Sequence, residues 1–271
     1  MITVSLYGRL GNNLWQYAVC RTVAEKNGFD FHIPRNFPNY FQLNLGVESF
    51  KVDNYFPFEN NHDAIQKYDS EIWNIKDFTK IDGYFQSEKY IVNNRDNIIK
   101  WFNLDKHLFK SPIDIDENTC VINFRGGDYT SIEDVFLVKK YWDDSIKKMR
   151  DINKNMKFII ITDDIHTASS FFTDIKIYHF DVVSDFMIVR NAPYLIIANS
   201  TFSWWGAWLN EIANLIIAPK YWFRYNISNG WWSPSDSITT RFHYMDRDGN
   251  LQNYNECLSE ITDFNYLDHY K

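Results

Sequence analysis

Short apolar segments alternate with helical segments through the second half of the chain, and this alternation restricts the fold more than any other feature. Helical and β-prone segments follow one another, helix first, at 141–150, 157–162, 166–172, 175–180, 183–191, 194–199, 204–211 and 215–218. Strands that alternate with helices favour a parallel sheet with helical crossovers. The sequence therefore predicts an α/β fold for this half.

An arginine, a pair of glycines and an aspartate follow another β-prone run. This run begins at Cys120 and ends on Arg125, after which Gly126 and Gly127 turn the chain before Asp128. Ligands of parallel sheets bind beyond the carboxyl ends of the strands, where an arginine can form a bidentate contact with phosphate. The alternative is a strand, a turn and a surface ion pair, and the other segments decide between the two interpretations.

Polar residues also stand at the ends of two other predicted strands. Asp163 and Asp164 follow the run at 157–162, and Asn199, Ser200 and Thr201 come at the end of the run at 194–199. The carboxyl ends of parallel strands share one edge of the sheet, so these residues are expected to lie near the arginine. The edge is predicted to bind a phosphate and a nucleoside.

The first half of the chain opens with a strand, a loop and a helix. The strand is predicted at 2–7, and the helix from Asn12 or Asn13, whose side chain would cap it, to Gly28. Amides of the first helical turn are available to an anion or a hydroxyl group.

The loop before this helix does not match a dinucleotide site. It carries two glycines, Gly8 and Gly11, which is short of the Rossmann fingerprint. The next predicted strand, 30–34, has its acidic residue at its beginning rather than its end. The sequence therefore excludes a nicotinamide cofactor here.

A linker is predicted between the two halves. A helix is expected from Gln86 or Ser87 to Phe102, and the acidic segment 105–118, which contains Pro112, follows it. We therefore predict two domains, 1–112 and 113–271.

Composition narrows the class of ligand. Aromatic residues make up 18% of the 271 residues, with ten tryptophans, which suggests contact with sugar rings. A net charge of −7 argues against a broad nucleic-acid or anionic-membrane surface. The three cysteines form no CxxC pair, and the sequence has neither a basic leader nor an apolar run of about 20 residues. These features predict a cytoplasmic protein without a transmembrane segment.

Several segments, in order along the chain, resemble those of family 11 glycosyltransferases, the alpha-1,2-fucosyltransferase-like group that uses GDP-fucose. Residues 8–18 (GRLGNNLWQYA) resemble GGLGNQMFQYA, and residues 83–90 (GYFQSEKY) resemble GYFQSEKYF. Residues 123–129 (NFRGGDY) resemble HxRRGDY, and residues 198–209 match ANSTFSWWGAWL, with APKYWF at 218–223. Each pattern is short, but their combination is specific.

The resemblance implies a GT-B-like α/β fold in which two Rossmann-like domains with parallel sheets face a central cleft. It also implies metal-independent, inverting transfer from GDP-fucose to a glycan, with no further cofactor. The second domain would bind the nucleotide sugar and the first the acceptor. No nucleic-acid partner is expected, and the only membrane contact foreseen is peripheral association with a membrane-linked glycan.

Residue roles follow from the same resemblance. Arg125 matches the arginine that holds the donor diphosphate, and Ser200 and Thr201 match polar groups of the donor pocket. The other predicted donor-site residues are Gly8, Gly11, Asn12, Asn123, Gly126, Asp163, Asp164, Asp185 and Asn199. Trp15 and Gln16 are predicted to contact the acceptor, and no metal ligand is predicted.

Two carboxylates near Arg125 are candidates for the catalytic base. Asp128 or Glu133 would take the proton of the acceptor hydroxyl, although Asp128 could instead support the loop. Trp204 and Trp208, one helical turn apart, are predicted to pack in the core.

Within the segment 123–129 the chain departs from the family pattern at two positions. Asn123 replaces the family histidine and Gly126 replaces the second arginine. The alternatives left open are weaker diphosphate binding, a different nucleotide-sugar donor, a non-catalytic glycan-binding protein, or compensation elsewhere, such as a metal ion held by Asp163 and Asp164 in place of the lost charge.

Overall fold

The computed structural model describes residues 1–56, 68–102, 110–223, 225–226 and 238–263. The chain divides into two compact units. The first unit comprises Met1–Leu108 with Asp236–Ile238, and the second comprises Phe109–Ser235 with Thr239–Lys271. Each is built of helices and a mainly parallel sheet, so the predicted α/β class is confirmed.

The first unit contains a four-stranded parallel sheet in the order β2-β1-β4-β3. Its elements are β1 (Ile2–Val4), α1 (Leu10–Asn27), β2 (Phe31–His32), β3 (Asn54–Phe56), β4 (Thr79–Ile81) and α2 (Arg95–Trp101). Short 3₁₀ segments lie at Ser70–Asn74, Glu88–Tyr90 and Val92–Asn94. The strand pair β3 and β4 was not predicted.

Helix α1 begins earlier than predicted and is not capped by an asparagine. It starts at Leu10, and the preceding Arg9 makes no side-chain capping bond. Asn13 instead donates from its side chain to the backbone oxygen of Tyr7, 2.9 Å away, in the loop that precedes the helix. The helix ends, as predicted, before Gly28, which adopts a left-handed conformation with φ of 66°.

The second unit contains a seven-stranded sheet in the order β11-β10-β9-β8-β5-β6-β7. Its elements are β5 (Thr119–Phe124), α3 (Lys139–Ile152), β6 (Lys157–Thr162), α4 (Ile165–Phe171), β7 (Lys176–Tyr178), α5 (Val182–Arg190), β8 (Tyr194–Ile197), α6 (Thr201–Trp208), β9 (Leu215–Pro219), β10 (His243–Met245), β11 (Leu251–Gln252) and α7 (Tyr254–Asp263). All neighbouring strands are parallel except β10 and β11. The predicted alternation from α3 to β9 is confirmed.

The core of the second unit surrounds β5 and α6. Every residue of β5 is buried, as expected for a strand covered on both faces of a parallel sheet. Trp204, Trp205 and Trp208 of α6 are buried, and the rings of Trp204 and Trp208 stack with centroids 5.5 Å apart. The prediction that these tryptophans pack in the core is confirmed, and β5 is thereby fixed as the rigid support for the loop that follows it.

Among the described residues, no helix combines the length and the apolar character needed to span a bilayer.

Candidate functional site

Arg125 lies at the carboxyl end of β5, where the sheet edge meets two carboxylates. Its guanidinium forms ion pairs with Asp163, after β6, and with Asp128 in the following turn. It also lies over the ring of Tyr129, with 4.9 Å between the guanidinium carbon and the ring centroid. The side chain of Arg125 is 17% exposed, so one positive charge is held at the edge in a fixed position.

The glycine turn after Arg125 is bound to both aspartates that follow β6. The Gly126 amide donates to Asp163 Oδ1 at 3.0 Å, and the Gly127 amide donates to Asp164 Oδ2 at 3.2 Å. Gly127 has φ of 51°, a left-handed conformation that favours glycine, and a Cβ there would lie 2.7 Å from Asp163 Oδ2. The close approach of the two loops thus depends on these glycines.

Asp164 also caps helix α4. Its Oδ1 accepts from the Thr167 amide at 3.0 Å, and its Oδ2 accepts from the Thr167 hydroxyl at 2.5 Å. These bonds favour the ionised carboxylate, so the pKa of Asp164 is lowered, chiefly by the Thr167 hydroxyl. The carboxylate therefore joins α4 to the glycine turn.

Asn123 is buried beneath the turn and makes its contacts inside the protein. Its Nδ2 donates to the Ile161 oxygen of β6 at 3.1 Å, and its Oδ1 accepts from the Ser203 hydroxyl of α6. Both polar groups of the side chain are thus used to join β5 to its neighbours. Asn123 thus supports the turn from inside the unit, and the donor contact predicted for it stays a prediction.

The loop between β8 and α6 lies beside this turn. Asn199 is buried, and its Nδ2 donates to the backbone oxygens of Val135 and Trp222 at 2.8 and 2.6 Å. Its Oδ1 is also buried, without a hydrogen-bond partner in the part of the chain that the structure describes. The Tyr129 hydroxyl donates to the backbone oxygen of Asn199 at 3.5 Å, so the loops after β5 and β8 meet.

Ser200 and Thr201 form the beginning of α6. Ser200 occupies the N-cap position without a side-chain capping bond, and Thr201 is the first helical residue. The first amides of an α-helix have no partner inside the helix and carry a partial positive charge. This helix end is therefore a second source of positive potential at the sheet edge.

Asp185 and Glu133 have different environments. Asp185 is buried at the start of α5, and accepts from the Phe180 amide and from the His179 ring, both at 3.1 Å. Burial is the main cause of its raised pKa. Asp185 thus holds the β7–α5 loop, whereas Glu133 is exposed beyond the glycine turn.

The two residues predicted to contact an acceptor lie in the interior of the first unit. Trp15 and Gln16 are both buried, with Gln16 fully inaccessible. Gln16 Oε1 accepts from the Tyr7 amide and the Asn13 side chain, and its Nε2 donates to the Gly83 oxygen at 3.2 Å. Both side chains thus contact the interior of the first unit, and the acceptor contact predicted for them stays a prediction.

The remaining candidates of the first unit shape the loop before α1. Gly8 adopts φ of 71°, and a Cβ there would lie 2.1 Å from the Asn12 side chain. Asn12 Oδ1 accepts from Gln86 at 2.9 Å, and Gly11 is buried within α1. Sequence reasoning gave no role to Tyr129, although it belongs to the same motif as Arg125.

Comparison with known proteins places these features in a family. A family model described as glycosyl transferase family 11 matches residues 1–229. The chain is 26% identical over 270 residues to an alpha-1,2-colitosyltransferase of Escherichia coli, covering 82% of this chain and 92% of that protein. It is 24% identical over 241 residues to galactoside alpha-(1,2)-fucosyltransferase 1 of Mus musculus, covering 76% of this chain and 63% of the mouse protein. A similar solved structure is that of fucosyltransferase NodZ from Bradyrhizobium, with a TM-score of 0.46, 14% identity and coverage of 80% of this chain and 94% of that chain.

Proposed function

Because the chain belongs to glycosyl transferase family 11, we propose that it transfers L-fucose from GDP-fucose to a glycan hydroxyl, with inversion at the anomeric carbon. The names of the relatives support the linkage, since one is an alpha-1,2-colitosyltransferase and another a galactoside alpha-(1,2)-fucosyltransferase. A galactoside is accordingly the acceptor class proposed for this chain.

The observation that carries the proposal is the position of Arg125. Its guanidinium stands at the carboxyl end of the central strand β5, in the loop cluster that also holds the start of α6. The departing diphosphate accumulates negative charge, and fixed donors at this edge stabilise that charge. An arginine fork and the amides of the first turn of a helix are donors of this kind.

Donor binding requires one of the two ion pairs of Arg125 to open. Asp163 accepts from both Arg125 and the Gly126 amide, whereas Asp128 lies in a short turn with its side chain 48% exposed. A phosphate oxygen replaces the Asp128 carboxylate on the guanidinium, and Asp163 stays in place. The arginine is thus already oriented before the donor arrives, which lowers the cost of binding.

We propose a positioning role for Asp128, supported by its contact with Arg125. In an inverting displacement the base stands on the face of the sugar opposite the leaving group. Asp128 contacts the arginine that binds the leaving group, so it lies on the wrong side for deprotonating the acceptor. Glu133 stays a candidate base, since its exposed carboxylate is not tied to Arg125 by these ion pairs.

We also propose that transfer needs no metal ion. The oxygens of Asp163 accept from Arg125 and the Gly126 amide. Those of Asp164 accept from the Gly127 amide and from Thr167. Binding a cation would break the hydrogen bonds that hold the glycine turn. In this proposal Arg125 and the first amides of α6 therefore stabilise the negative charge of the diphosphate.

A second donor, GDP-colitose, is favoured by one comparison. The colitosyltransferase covers 82% of this chain, against 76% for the mouse fucosyltransferase. Colitose is fucose without its 3-hydroxyl group, and a pocket that hydrogen-bonds this hydroxyl rejects the deoxy sugar strongly, whereas an apolar pocket does not. Turnover of GDP-fucose and of GDP-colitose, measured separately, therefore identifies the donor.

The test is a donor panel with the purified full chain. GDP-fucose, GDP-colitose, GDP-mannose and UDP-galactose are supplied separately, and release of nucleoside diphosphate is measured with and without lactose as a galactoside acceptor. We expect turnover with GDP-fucose. Turnover with GDP-colitose alone identifies the second candidate, and turnover only with UDP-galactose contradicts both.

A chain that binds glycan but turns over none of the donors is the non-catalytic alternative. In that case Arg125→Ala and Arg150→Ala behave alike. Arg150 serves as the control because it is an exposed arginine of the same unit, with its guanidinium over the ring of Phe158. A selective effect of Arg125→Ala on nucleotide binding would still place the diphosphate at this arginine.

A further inference from the structure

Two tyrosines and a carboxylate meet at the carboxyl ends of β1 and β4, the central strands of the first unit's sheet. Tyr7 follows β1, and Asp82 and Tyr84 follow β4. The rings of Tyr7 and Tyr84 have centroids 5.8 Å apart and planes inclined by 46°. Tyr7 is 40% exposed, and Asp82 and Tyr84 are half-buried. None of the three has a role in the donor site described above.

The chemistry of this cluster suits an uncharged ligand with many hydroxyl groups. A hydrogen bond with Asp82 is the main cause of the raised pKa of the Tyr7 hydroxyl. The negative charge of Asp82 disfavours phosphate, and its oxygens accept hydrogen bonds from hydroxyl groups. Tyrosine rings offer apolar faces with a polar tip, so rings and carboxylate together match the CH face and hydroxyl edge of a pyranose.

The two loops that carry the cluster are joined by buried polar contacts. Gln16, which is 0% exposed, accepts from the Tyr7 amide at 3.1 Å and donates to the Gly83 oxygen at 3.2 Å. A second link runs from Gln86 Nε2 to Asn12 Oδ1 at 2.9 Å. The loops are thus held before any ligand binds, which reduces the ordering cost of binding.

The backbone next to Tyr84 is strained. Phe85 has φ of 57°, a left-handed conformation that is rare for an aromatic residue. Its fully buried ring packs edge to face against Tyr90, with centroids 5.7 Å apart. Such strain persists where the surroundings enforce it, and it concentrates at ligand sites. Tyr84 therefore lies between Phe85, whose ring is fully buried, and Gly83, whose backbone oxygen accepts from Gln16, and both neighbours restrict its position.

We propose that Tyr7, Asp82 and Tyr84 form a carbohydrate site in which a pyranose ring packs against the tyrosines and its hydroxyl groups donate to Asp82. Identifying that sugar as the terminal galactose of the acceptor rests on the proposed function, whereas sugar binding itself does not. Gln16, expected from the sequence to touch the acceptor, is in this view a positioning residue for both loops.

Binding is tested first without any catalytic readout. Saturation-transfer NMR is recorded for the full chain with lactose and with methyl glycosides of galactose, glucose and N-acetylglucosamine. We expect transfer to pyranose protons in the wild type, and affinity about tenfold weaker or worse in Tyr84→Ala and Asp82→Asn. Tyr84→Phe keeps the ring and most of the binding.

The control is Tyr55→Ala, which removes a 68% exposed tyrosine from β3 of the same sheet and leaves binding unchanged. Thermal unfolding of each variant verifies that it is folded. Absence of sugar binding in the wild type overturns the proposal. Equal binding by wild type, Tyr84→Ala and Asp82→Asn also overturns it.

Kinetics separate this site from the proposed function. If the chain uses GDP-fucose, Tyr84→Ala and Asp82→Asn raise the KM for lactose about tenfold or more, and Tyr55→Ala does not. Transfer with an unchanged lactose KM in both variants refutes the site and leaves the function standing. Sugar binding that depends on Tyr84, in a chain that turns over no donor, refutes the function and leaves the site standing.

Discussion

Replacing Arg125 with alanine should remove activity far out of proportion to its effect on stability. In the free protein the guanidinium is shared between Asp163 and Asp128, and its side chain is 17% exposed. The substitution removes both ion pairs and the contact proposed for the diphosphate. The two effects differ in size, and the difference is what the experiment measures.

The stability term is small because both pairs are partly exposed. The carboxylate side chains of Asp128 and Asp163 are 48% and 28% exposed. Ion pairs of this kind contribute about 0–1 kcal/mol each, so the variant should lose no more than about 2 kcal/mol and remain folded. For a chain of this size, that lowers the Tm by roughly 4–8 °C.

The catalytic term is larger because charge develops on the leaving diphosphate during transfer. Removing one preorganised donor from such a site costs about 3–4 kcal/mol, which is about 100-fold to 1,000-fold in rate. Arg125→Lys should recover little, since a single ammonium group lacks the planar fork that meets two oxygens.

The assay follows GDP release from GDP-fucose, with lactose, for Arg125→Ala, Arg125→Lys and the control Arg150→Ala. Arg150→Ala makes the same change of net charge in the same unit and should keep wild-type rates. Thermal unfolding is measured alongside. A rate for Arg125→Ala within about threefold of the wild type would show that the diphosphate binds elsewhere.

Four further predictions concern the support of the site. Asn123→Ala leaves Ser203 and a backbone oxygen of β6 without their partner, so chemical denaturation should show a loss of about 1–3 kcal/mol. Gly126→Ala places a Cβ 2.7 Å from Asp164 Cβ and should cost about 1–3 kcal/mol by the same measurement. The pKa of Asp164 is lowered on folding from 3.8, so the stabilisation of the fold by its ionised carboxylate is complete above about pH 4. This stabilisation is lost as the pH falls through the lowered pKa. The difference in unfolding free energy between wild type and Asp164→Asn should therefore shrink over that range. Excess EDTA should leave GDP release unchanged, whereas loss that Mn²⁺ restores would assign Asp163 and Asp164 as metal ligands.

The fold was predictable where strands are buried on both faces. β5 and β6 are six residues each, and each contains an apolar run, at 120–122 and 158–161, of the kind typical of central parallel strands. β3, β4, β10 and β11 are two or three residues long, and β3, β4 and β11 offer no such run. β3, β4 and β10 each pair with a strand distant in sequence, and no local pattern reports that pairing, whereas the two-residue β11 pairs with the adjacent β10.

The sequence predicted those parts of the site that depend only on the carboxyl ends of parallel strands lying at the same edge of the sheet. Arg125 and Asp163 follow neighbouring strands, and the structure brings them into contact. Which side chains turn inward could not be predicted in the same way. The Asn123 contact with Ser203 depends on the rotation of α6 against β5, and the burial of Gln16 depends on the loop after β4 closing over it.

The glycine at position 126 and the aspartate at position 164 are best understood as one structural choice. The family resemblance puts a second arginine at position 126, but any Cβ there would lie 2.7 Å from Asp164 Cβ. Asp164 cannot retreat without giving up the Thr167 amide at the start of α4 and the Gly127 amide in the turn. The chain therefore has a turn held by carboxylates where the family resemblance puts a second guanidinium. Under the proposed function, the charge of the diphosphate would depend more heavily on Arg125 and on the first amides of α6 here than in a protein with both arginines.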